Sequence, residues 1–231
     1  MKEEEPEKVG AVIVAAGLSQ RMGGVDKVFA PLGDKPVLAR VLDTFQHCGS
    51  IDQIVVVLSR QNLKQGEQLI AENAWLKVTG VCLGGKRRQD SVAAGLESLT
   101  NCSWAVIHDG ARPLVTETLI EQGLEAAKET GAAIAAVPVT DTIKVAGDDR
   151  IVRDTPSRHN LWAVQTPQVF RYNIITEAYR KAADYEVTDD AGPVEQLGCS
   201  VKLYMGSYDN IKITTREDQA LVEILWRKYS K

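Results

Sequence analysis

Short runs of β-branched and small apolar residues alternate along this chain with longer segments in which apolar residues recur every three or four positions. The short runs predict buried strands, and the longer segments predict amphipathic helices. The predicted strands are residues 9–15, 54–58, 77–82, 104–108, 133–138 and 201–205. The predicted helices are residues 36–47, 63–73, 88–99, 116–130, 171–183 and 217–229.

The alternation of strands and helices is typical of an α/β protein. Right-handed crossovers then join the strands, so we expect a Rossmann-like, mainly parallel twisted sheet with helices on both faces. Ligands of such sheets bind beyond the carboxyl ends of the strands. Charged or glycine residues follow three of these ends: Arg21 and Lys27 after the first strand, Gly84 and Gly85 after the third, and Asp109 and Arg112 after the fourth.

Residues 141–153 depart from this alternation. They predict two short strands around an Ala-Gly-Asp-Asp turn, within a protruding β-hairpin arm of about residues 139–160. A lone hairpin is marginally stable in water, so we expect the arm to pack on another surface, for which a second subunit is a reasonable candidate. The chain otherwise predicts a single domain over residues 9–231, preceded by a flexible acidic tail over residues 1–8.

Composition narrows the class of protein. The 231 residues, 44% hydrophobic and 25% charged, fit one globular domain. A net charge of −4 argues against a nucleic-acid partner, which requires a broad basic surface. The first residues lack the apolar core of a signal peptide, and no apolar run is long enough to span a bilayer, so we expect no membrane partner. The four cysteines form no CxxC pair, which fits reduced thiols in the cytoplasm.

The most informative segment begins at Val9 and ends at Lys27. A buried apolar strand stops near Gly17, and a loop of small residues that also carries Arg21 follows. Backbone N–H groups of such a loop can approach an anion closely, and the two cations can neutralise the remaining charge. The glycine spacing matches neither the GxxxxGK[ST] phosphate loop nor the GxGxxG dinucleotide motif. We expect a nucleotide bound as a reactant, the alternative being an ordinary glycine loop with solvated cations.

Two further strand-end motifs have both a chemical and a structural interpretation. Residues 84–91 allow close backbone approach, and Ser91 can bind a base or a phosphate; the alternative is a glycine turn with a solvated Lys-Arg-Arg run. Asp109 can bind a hydroxyl or Mg²⁺, directly or through water, and Arg112 can hold a phosphate in a fork, or the two can brace a loop as an ion pair. His108 is expected to be structural, because an ionised phosphate nucleophile needs no base.

Three later motifs add charge. Arg158 follows the two hairpin strands, Thr188 is a candidate N-cap for a helix, and residues 209–214 are strand-like and carry Lys212. Asp209 in the same run is a second candidate metal ligand beside Asp109.

Seven ordered motifs carry a family resemblance: AAG…RMG…K, GG…R…DSV, HDGARP, DTIK, R…LW…QTPQ, TDD and DNIKIT. The set covers nearly the whole chain after the tail and resembles the 2-C-methyl-D-erythritol 4-phosphate cytidylyltransferases, which are sugar-phosphate nucleotidylyltransferases. The chain departs from the commoner forms at Gly110, where alanine is more usual, and at Lys86, where an acidic residue often occurs.

The resemblance implies an enzyme of non-mevalonate isoprenoid precursor synthesis. It would form 4-diphosphocytidyl-2-C-methyl-D-erythritol and pyrophosphate from CTP and 2-C-methyl-D-erythritol 4-phosphate, with Mg²⁺ or another divalent cation as cofactor. The implied CTP contacts are Ala15, Ala16, Gly17, Gly85 and Ser91, and the implied catalytic residues are Arg21, Lys27, Arg158 and Lys212. The implied acceptor contacts are Asp109, Arg112, Thr142 and Thr188. A homodimer is also implied, in which the arm contributes to the partner's site.

Two alternatives stay open from the sequence. A cytidylyltransferase for ribitol 5-phosphate or another polyol phosphate would share the CTP loop and differ around the acceptor contacts. A non-catalytic nucleotide-binding module on the same fold is the other. The joint presence of Arg21, Lys27 and Lys212 argues against that module, because binding alone would tolerate the loss of one of them.

Overall fold

Seven strands form the central sheet of this protein, whose computed structural model describes residues 7–17, 26–182 and 187–229. In chain order the strands are β1 (Val9–Ala15), β2 (Pro31–Leu32), β3 (Lys35–Pro36), β4 (Gln53–Leu58), β5 (Val78–Leu83), β6 (Trp104–Asp109), β7 (Ala132–Pro138), β8 (Val145–Ala146), β9 (Val152–Asp154), β10 (Trp162–Arg171) and β11 (Lys202–Met205). The helices are α1 (Val37–His47), α2 (Leu63–Glu72), α3 (Arg88–Glu97), α4 (Glu117–Thr130), α5 (Tyr172–Lys181), α6 (Ala191–Gln196) and α7 (Arg216–Tyr229). The central sheet has the order β11-β7-β10-β6-β1-β4-β5.

The predicted α/β architecture is confirmed. β1 lies between β4 and β6 and is parallel to both, and β5 and β11 also pair in parallel with their neighbours. All six predicted strands and all six predicted helices occur, with ends that differ by at most two residues. Ile13 packs in one core with residues of α1 and α4, and Val12 packs in the other core with residues of α3 and α5. Alternate side chains of β1 thus face helices on opposite sides of the sheet.

The antiparallel strand β10 is the strand of the central sheet that the hydrophobic pattern did not predict. It pairs with β6 on one side and with β7 on the other, and its register with β7 shifts between Val164 and Gln168. Gln165, Thr166 and Gln168 interrupt its apolar sequence, yet all three are buried. Their polar side chains hold neighbouring segments by hydrogen bonds, which is why a polar sequence occupies the middle of the sheet.

The hairpin arm is confirmed as a separate two-stranded sheet. β8 and β9 pair antiparallel around a turn in which Gly147 donates to the carbonyl of Ile151. The apolar residues of the arm are exposed in this chain: Ile143 38%, Val145 48%, Ile151 57% and Val152 51%.

Two local predictions near the end of the chain were wrong. The N-cap residue of α6 is Asp190 rather than Thr188, because the helix begins at Ala191. Residues 209–214 form no strand; their main chain is tied to the turn after β6 by a 2.8 Å bond from the Ile213 nitrogen to the Ala111 carbonyl.

Glu7 and Lys8, which were predicted to belong to the acidic tail, make contacts with the sheet. The Glu7 carboxylate accepts hydrogen bonds from Trp104 and Arg171, and the Lys8 carbonyl accepts from the backbone of Ser103 and Trp104. These contacts fix Glu7 and Lys8 against the end of the sheet, whereas residues 1–6 lie outside the described residues. Within the described ranges, the helices are too short or too polar to cross a lipid bilayer.

Helix α3 lies unusually close to the sheet, and this position matters for the site. A Cβ on Gly95 would come within 2.3 Å of Val12 Cγ1 and within 2.9 Å of Val57 Cγ2. Glycine at this position therefore lets the helix axis approach β1 and β4. As a result the first turn of α3, with Arg88 and Ser91, is held at the carboxyl edge of the sheet.

Candidate active site

Two adjoining cavities lie at the carboxyl edge of the sheet. The first has a volume of about 560 Å³ and lies over the ends of β1, β4, β5 and β6. All five residues that were predicted to contact a nucleotide line it, namely Ala15, Ala16, Gly17, Gly85 and Ser91. Lys27 lines it as well, whereas Arg21 lies outside the described residues. The position of this cavity agrees with the general location of ligand sites in open α/β sheets.

Glycine is required on one wall of the first cavity. A Cβ on Gly84 would lie 2.3 Å from the Cβ of Ala16, and a Cβ on Gly85 would lie 2.3 Å from the Cβ of Asp90. The turn after β5 therefore brings its backbone against the end of β1. Ser91 is buried one helical turn further on, and its hydroxyl donates to the Arg87 carbonyl at 3.2 Å.

The second cavity, of about 650 Å³, lies beside the first on the β10 side of β6. Its lining includes Arg112, Trp162, Thr166, Gln168 and Thr188, two of which were predicted to contact the acceptor. Three residues line both cavities: Arg88, Asp109 and Lys212. We call these three residues the shared wall.

The Asp109 carboxylate is the centre of the shared wall. Its Oδ2 lies 3.0 Å from Lys212 Nζ and 3.2 Å from Arg112 Nε, and its Oδ1 lies 3.6 Å from Arg88 Nε. Burial alone would raise the pKa of Asp109, but the charges of Lys212, Arg88 and Arg112 outweigh burial and hold that pKa well below its ordinary value. The carboxylate is thus ionised at neutral pH, and more cations than carboxylates face this part of the cleft.

A buried polar network places Arg112. Its Nη1 donates to the Asn210 carbonyl at 2.7 Å, and the Asn210 amide donates to the Thr166 carbonyl at 2.8 Å. Thr166 in turn accepts from the Asp109 backbone N–H at 3.1 Å. The network joins the end of β6, the middle of β10 and the segment after β11, so three distant parts of the chain meet behind the shared wall.

His108 has a structural position, as expected. It is fully buried, its Nδ1 lies 3.1 Å from Thr166 Oγ1, and its Nε2 lies 3.2 Å from the Arg112 carbonyl. Burial lowers the pKa of His108 to about 4, because a charged imidazole is disfavoured away from water. The ring is therefore neutral at physiological pH, and it braces the turn between Asp109 and Arg112.

The arm residues Thr142 and Arg158 do not join this constellation within one chain. Both are exposed, and neither lines the first or the second cavity. Arg158 Nη1 donates to the Thr140 carbonyl at 2.9 Å, which is a contact within the arm itself.

The two candidate metal-binding carboxylates are not brought together. Asp209 accepts a hydrogen bond from the Tyr229 hydroxyl and lines a different cavity, on the side of α7. Asp109 is surrounded by cations instead. Within the described ranges, no group of three or more His, Cys, Asp or Glu residues is arranged to hold a metal ion.

Sequence reasoning missed Arg88 and Asp190 as part of the site. Arg88 belongs to a Lys-Arg-Arg run that is compatible with simple solvation, and Asp190 was counted only within a helix-start motif. In the structure they form a fork, with Nη1–Oδ1 and Nη2–Oδ2 distances of 2.7 Å each. The spacing in the sequence could have indicated Arg88. It precedes Ser91 by three residues, so the two side chains lie on the same face of the helix.

Comparison with known proteins gives one consistent family. The family model for IspD, 2-C-methyl-D-erythritol 4-phosphate cytidylyltransferase, matches residues 9–228. A curated protein of that name from Dehalococcoides mccartyi is 53% identical over 222 residues, covering 96% of this chain and 97% of its own length. Another, from Alkaliphilus oremlandii, is 44% identical over 225 residues and covers 95% of each chain.

Solved structures are similar over the same length. The 4-diphosphocytidyl-2C-methyl-D-erythritol synthase of Anaerococcus prevotii has a TM-score of 0.84 at 30% identity, over 96% of this chain and 99% of that chain. The 2-C-methyl-D-erythritol 4-phosphate cytidylyltransferase of Thermus thermophilus has a TM-score of 0.76 at 31% identity, over 94% of this chain and 98% of that chain.

Replacing His108 with glutamine is expected to make folding less sensitive to acid. The pKa of this histidine is about 4 in the folded protein, below its ordinary value of 6.5. Between pH 4 and pH 6.5, the unfolded chain therefore binds a proton at His108 that the folded protein does not bind. The free energy of unfolding therefore falls as the pH drops through that window, and from pH 7.5 to pH 5 His108 should account for a loss of about 2 kcal/mol. Urea unfolding of the parent and of His108→Gln at both pH values measures the difference.

The matched control for this experiment is His47→Gln, because His47 is exposed. That variant should lose as much stability as the parent over the same pH range. An equal loss in the parent and in His108→Gln would contradict the buried, neutral assignment of His108.

Proposed function

The chain belongs to the 2-C-methyl-D-erythritol 4-phosphate cytidylyltransferase family, and we propose that its first cavity holds CTP and its second cavity holds the acceptor phosphate. The protein is a nucleotidyltransferase of non-mevalonate isoprenoid precursor synthesis. It joins CTP and 2-C-methyl-D-erythritol 4-phosphate, giving 4-diphosphocytidyl-2-C-methyl-D-erythritol and pyrophosphate. The observation that carries the assignment of the cavities is the shared wall, because a reaction between two phosphates requires two sites that meet.

The reaction is an in-line displacement at phosphorus. A phosphate oxygen of the acceptor attacks the α-phosphorus of CTP, the bond to the β-phosphate oxygen breaks, and pyrophosphate leaves. Because the nucleophile is already anionic near neutral pH, no general base is needed. The obstacle is repulsion between two polyanions together with the charge that develops on the α-phosphoryl oxygens. Positioning and preorganised cations are the main contributions that a protein can make to such a step.

The first cavity suits a nucleoside triphosphate. The backbone of Ala15, Ala16 and Gly17 ends β1 at its floor, and Gly84 and Gly85 after β5 contribute backbone to one wall. Lys27 contributes a cation to the same cavity, and Arg21 is the second cation of the loop in sequence. We assign Lys27 and Arg21 to stabilisation of the α-phosphoryl charge and Ser91 to a contact with the nucleotide.

The second cavity suits a polyol phosphate. Arg112 and Lys212 supply cations for the phosphate, and Thr166, Gln168 and Thr188 supply hydrogen-bonding groups for hydroxyls. The Asp109 carboxylate lies between Arg112 and Lys212 and keeps both side chains directed at the boundary between the cavities. We assign Lys212 to the acceptor phosphate, since it lines both cavities.

Magnesium fits this site only as an ion that accompanies the nucleotide. Both oxygens of Asp109 face cations, and Asp209 belongs to another cavity, so these two residues do not form a protein site for the metal. Mg²⁺ commonly keeps its waters and binds through substrate phosphates rather than through a protein cage. Bound in that way, it would neutralise triphosphate charge and orient the phosphates.

A second copy of the chain would complete the site through the hairpin arm. Thr142 and Arg158 are in the arm, outside both cavities of their own chain. The apolar residues of the arm are also exposed, and a two-stranded hairpin gains little stability from itself. In a symmetric dimer each arm would lie on the partner, and Arg158 would then reach the partner's acceptor phosphate.

The unpaired cysteines and the cytosolic substrate CTP fit a cytoplasmic enzyme.

Purified protein with Mg²⁺ should release pyrophosphate from CTP and 2-C-methyl-D-erythritol 4-phosphate far faster than from ATP, GTP or UTP with the same acceptor. The family assignment carries the preference for CTP over UTP, and the small residues Gly85 and Ser91 favour a pyrimidine over a purine. Ribitol 5-phosphate, assayed in parallel, tests the other polyol phosphates. Equal rates with CTP and UTP, or a preference for ribitol 5-phosphate, would overturn the assignment.

Two single lysine variants test whether that activity belongs to this cleft. Lys27→Ala should lower kcat by roughly 10²-fold or more, as loss of a preorganised donor does elsewhere. Lys64→Ala removes an exposed lysine of α2 and should behave as the parent.

Mixing two inactive variants should restore activity if the arm acts in trans. In a mixed dimer of Lys27→Ala and Arg158→Ala, one site lacks both side chains and the other site has both. Coexpressed and copurified variants should therefore be active, although each variant alone is strongly impaired. If Arg158 served its own chain, each site in the mixture would lack one group. Continued inactivity of mixed dimers would then exclude the proposed role of the arm.

A further inference from the structure

Arg88 links the two cavities through contacts on both of its sides. It is the first residue of α3, directly after the turn that lines the first cavity, and it lines both cavities. Its guanidinium forms a fork with Asp190, with both N–O distances at 2.7 Å, and its Nε lies 3.6 Å from Asp109 Oδ1. Planar two-bond pairing of this kind fixes orientation as well as distance.

Asp190 is held from several directions and reaches no solvent. It is 0% exposed, and its carboxylate also accepts a hydrogen bond from the Tyr179 hydroxyl. Its backbone N–H donates to Gln168 Oε1 at 3.1 Å. Thr188 and Asp189, which line the second cavity, directly precede it in the chain. The position of Asp190 therefore determines where this wall of the second cavity lies.

Gln89 makes an independent contact to the same segment. Its Oε1 accepts a hydrogen bond from the Val187 backbone N–H at 3.1 Å. Two consecutive residues of α3 thus hold residues 187–190. The helix itself is fixed by its close approach to β1 at Gly95, so it offers a rigid reference for the segment.

We propose that Arg88 is a positioning residue that couples the acceptor cavity to the nucleotide cavity through its fork with Asp190. This inference rests on the proposed function, because it takes the second cavity as the acceptor site. The first turn of α3 is set by the sheet and by the glycine turn, and Arg88 transmits that position to residues 188–190. A lysine at this position would keep the charge but lose one of the two parallel bonds. A buried carboxylate that loses a partner is left undercompensated, so the segment would shift toward water.

Steady-state kinetics of Arg88→Lys, with CTP and acceptor varied separately, test this role. The KM for the acceptor should rise roughly tenfold or more, while the KM for CTP should stay within about threefold of the parent, because the backbone of the nucleotide cavity is unchanged. Asp190→Asn should show the same split. The double variant should be about as impaired as the worse single variant, since both substitutions break one link.

The matched control is Arg180→Lys. Arg180 also forms a two-bond fork with a carboxylate, donating from Nε and Nη2 to Glu177 at 2.8 Å each, and it is exposed on α5. This variant should leave both KM values as in the parent. Calorimetric titration with CTP shows whether Arg88→Lys is folded and retains the nucleotide cavity. If Arg88→Lys does not fold, Tyr179→Phe serves instead, because it removes one hydrogen bond to Asp190 without changing charge. It should raise the KM for the acceptor, by a smaller factor, and leave the KM for CTP unchanged.

Equal rises in both KM values for Arg88→Lys would overturn the inference, and so would kinetics that match those of Arg180→Lys. If Arg88→Lys does not fold, a Tyr179→Phe variant with an unchanged KM for the acceptor would overturn it. Failure of the proposed function is a separate outcome, since the parent itself would then release no pyrophosphate with this acceptor.

Discussion

The ion pairs around the Asp109 carboxylate are the interaction on which the rest of the cleft depends. Each of its three cations comes from a different part of the chain: Arg88 opens α3, Arg112 lies in the turn after β6, and Lys212 follows β11. Without the carboxylate, these cations would repel one another at close range in a partly dry environment. With it, they stay close together and still present an excess of positive charge.

That excess is suited to a reaction between two anions. An ionised acceptor phosphate needs cations to approach a triphosphate, and it needs no proton acceptor. The neutral, buried state of His108 fits this requirement, because the one histidine near the centre supports the turn rather than the chemistry. The network of Asn210 and Thr166 behind it has the same supporting role for Arg112. Structural polar groups thus lie behind the wall, and charged groups face the cavities.

How far the sequence predicts this structure depends on the kind of signal. The six predicted strands and six predicted helices follow from apolar periodicity. Glycines and small residues at strand ends indicated the location of the first cavity, and the family resemblance supplied its individual residues. β10 was missed because Gln165, Thr166 and Gln168 break the apolar pattern, and their role appears only when the segments that they bond are in place. For the same reason the fork of Arg88 and Asp190, which are 102 positions apart, could not be read from local spacing.

The contributions of the arm were the least accessible to local reasoning. Its strands follow from alternation and turn residues, but the proposed roles of Thr142 and Arg158 require a second copy of the chain, because neither residue lines a cavity of the site in its own chain. Asp209 illustrates a different difficulty. Its residue type suggested a metal ligand, but in the structure its carboxylate accepts a hydrogen bond from the Tyr229 hydroxyl. Residues with reactive or charged side chains can be identified in a sequence. Which cavity each of them faces is determined by the fold.

A crystal structure with Mg²⁺, a non-hydrolysable CTP analogue and 2-C-methyl-D-erythritol 4-phosphate would test most directly whether the two phosphates meet at the shared wall. We expect the triphosphate in the first cavity beside Lys27, and the acceptor phosphate beside Lys212 and Arg112, with its oxygen in line with the α-phosphorus. An acceptor bound outside the second cavity, or an acceptor phosphate separated from the α-phosphorus by the Asp109 ion pairs, would contradict this account.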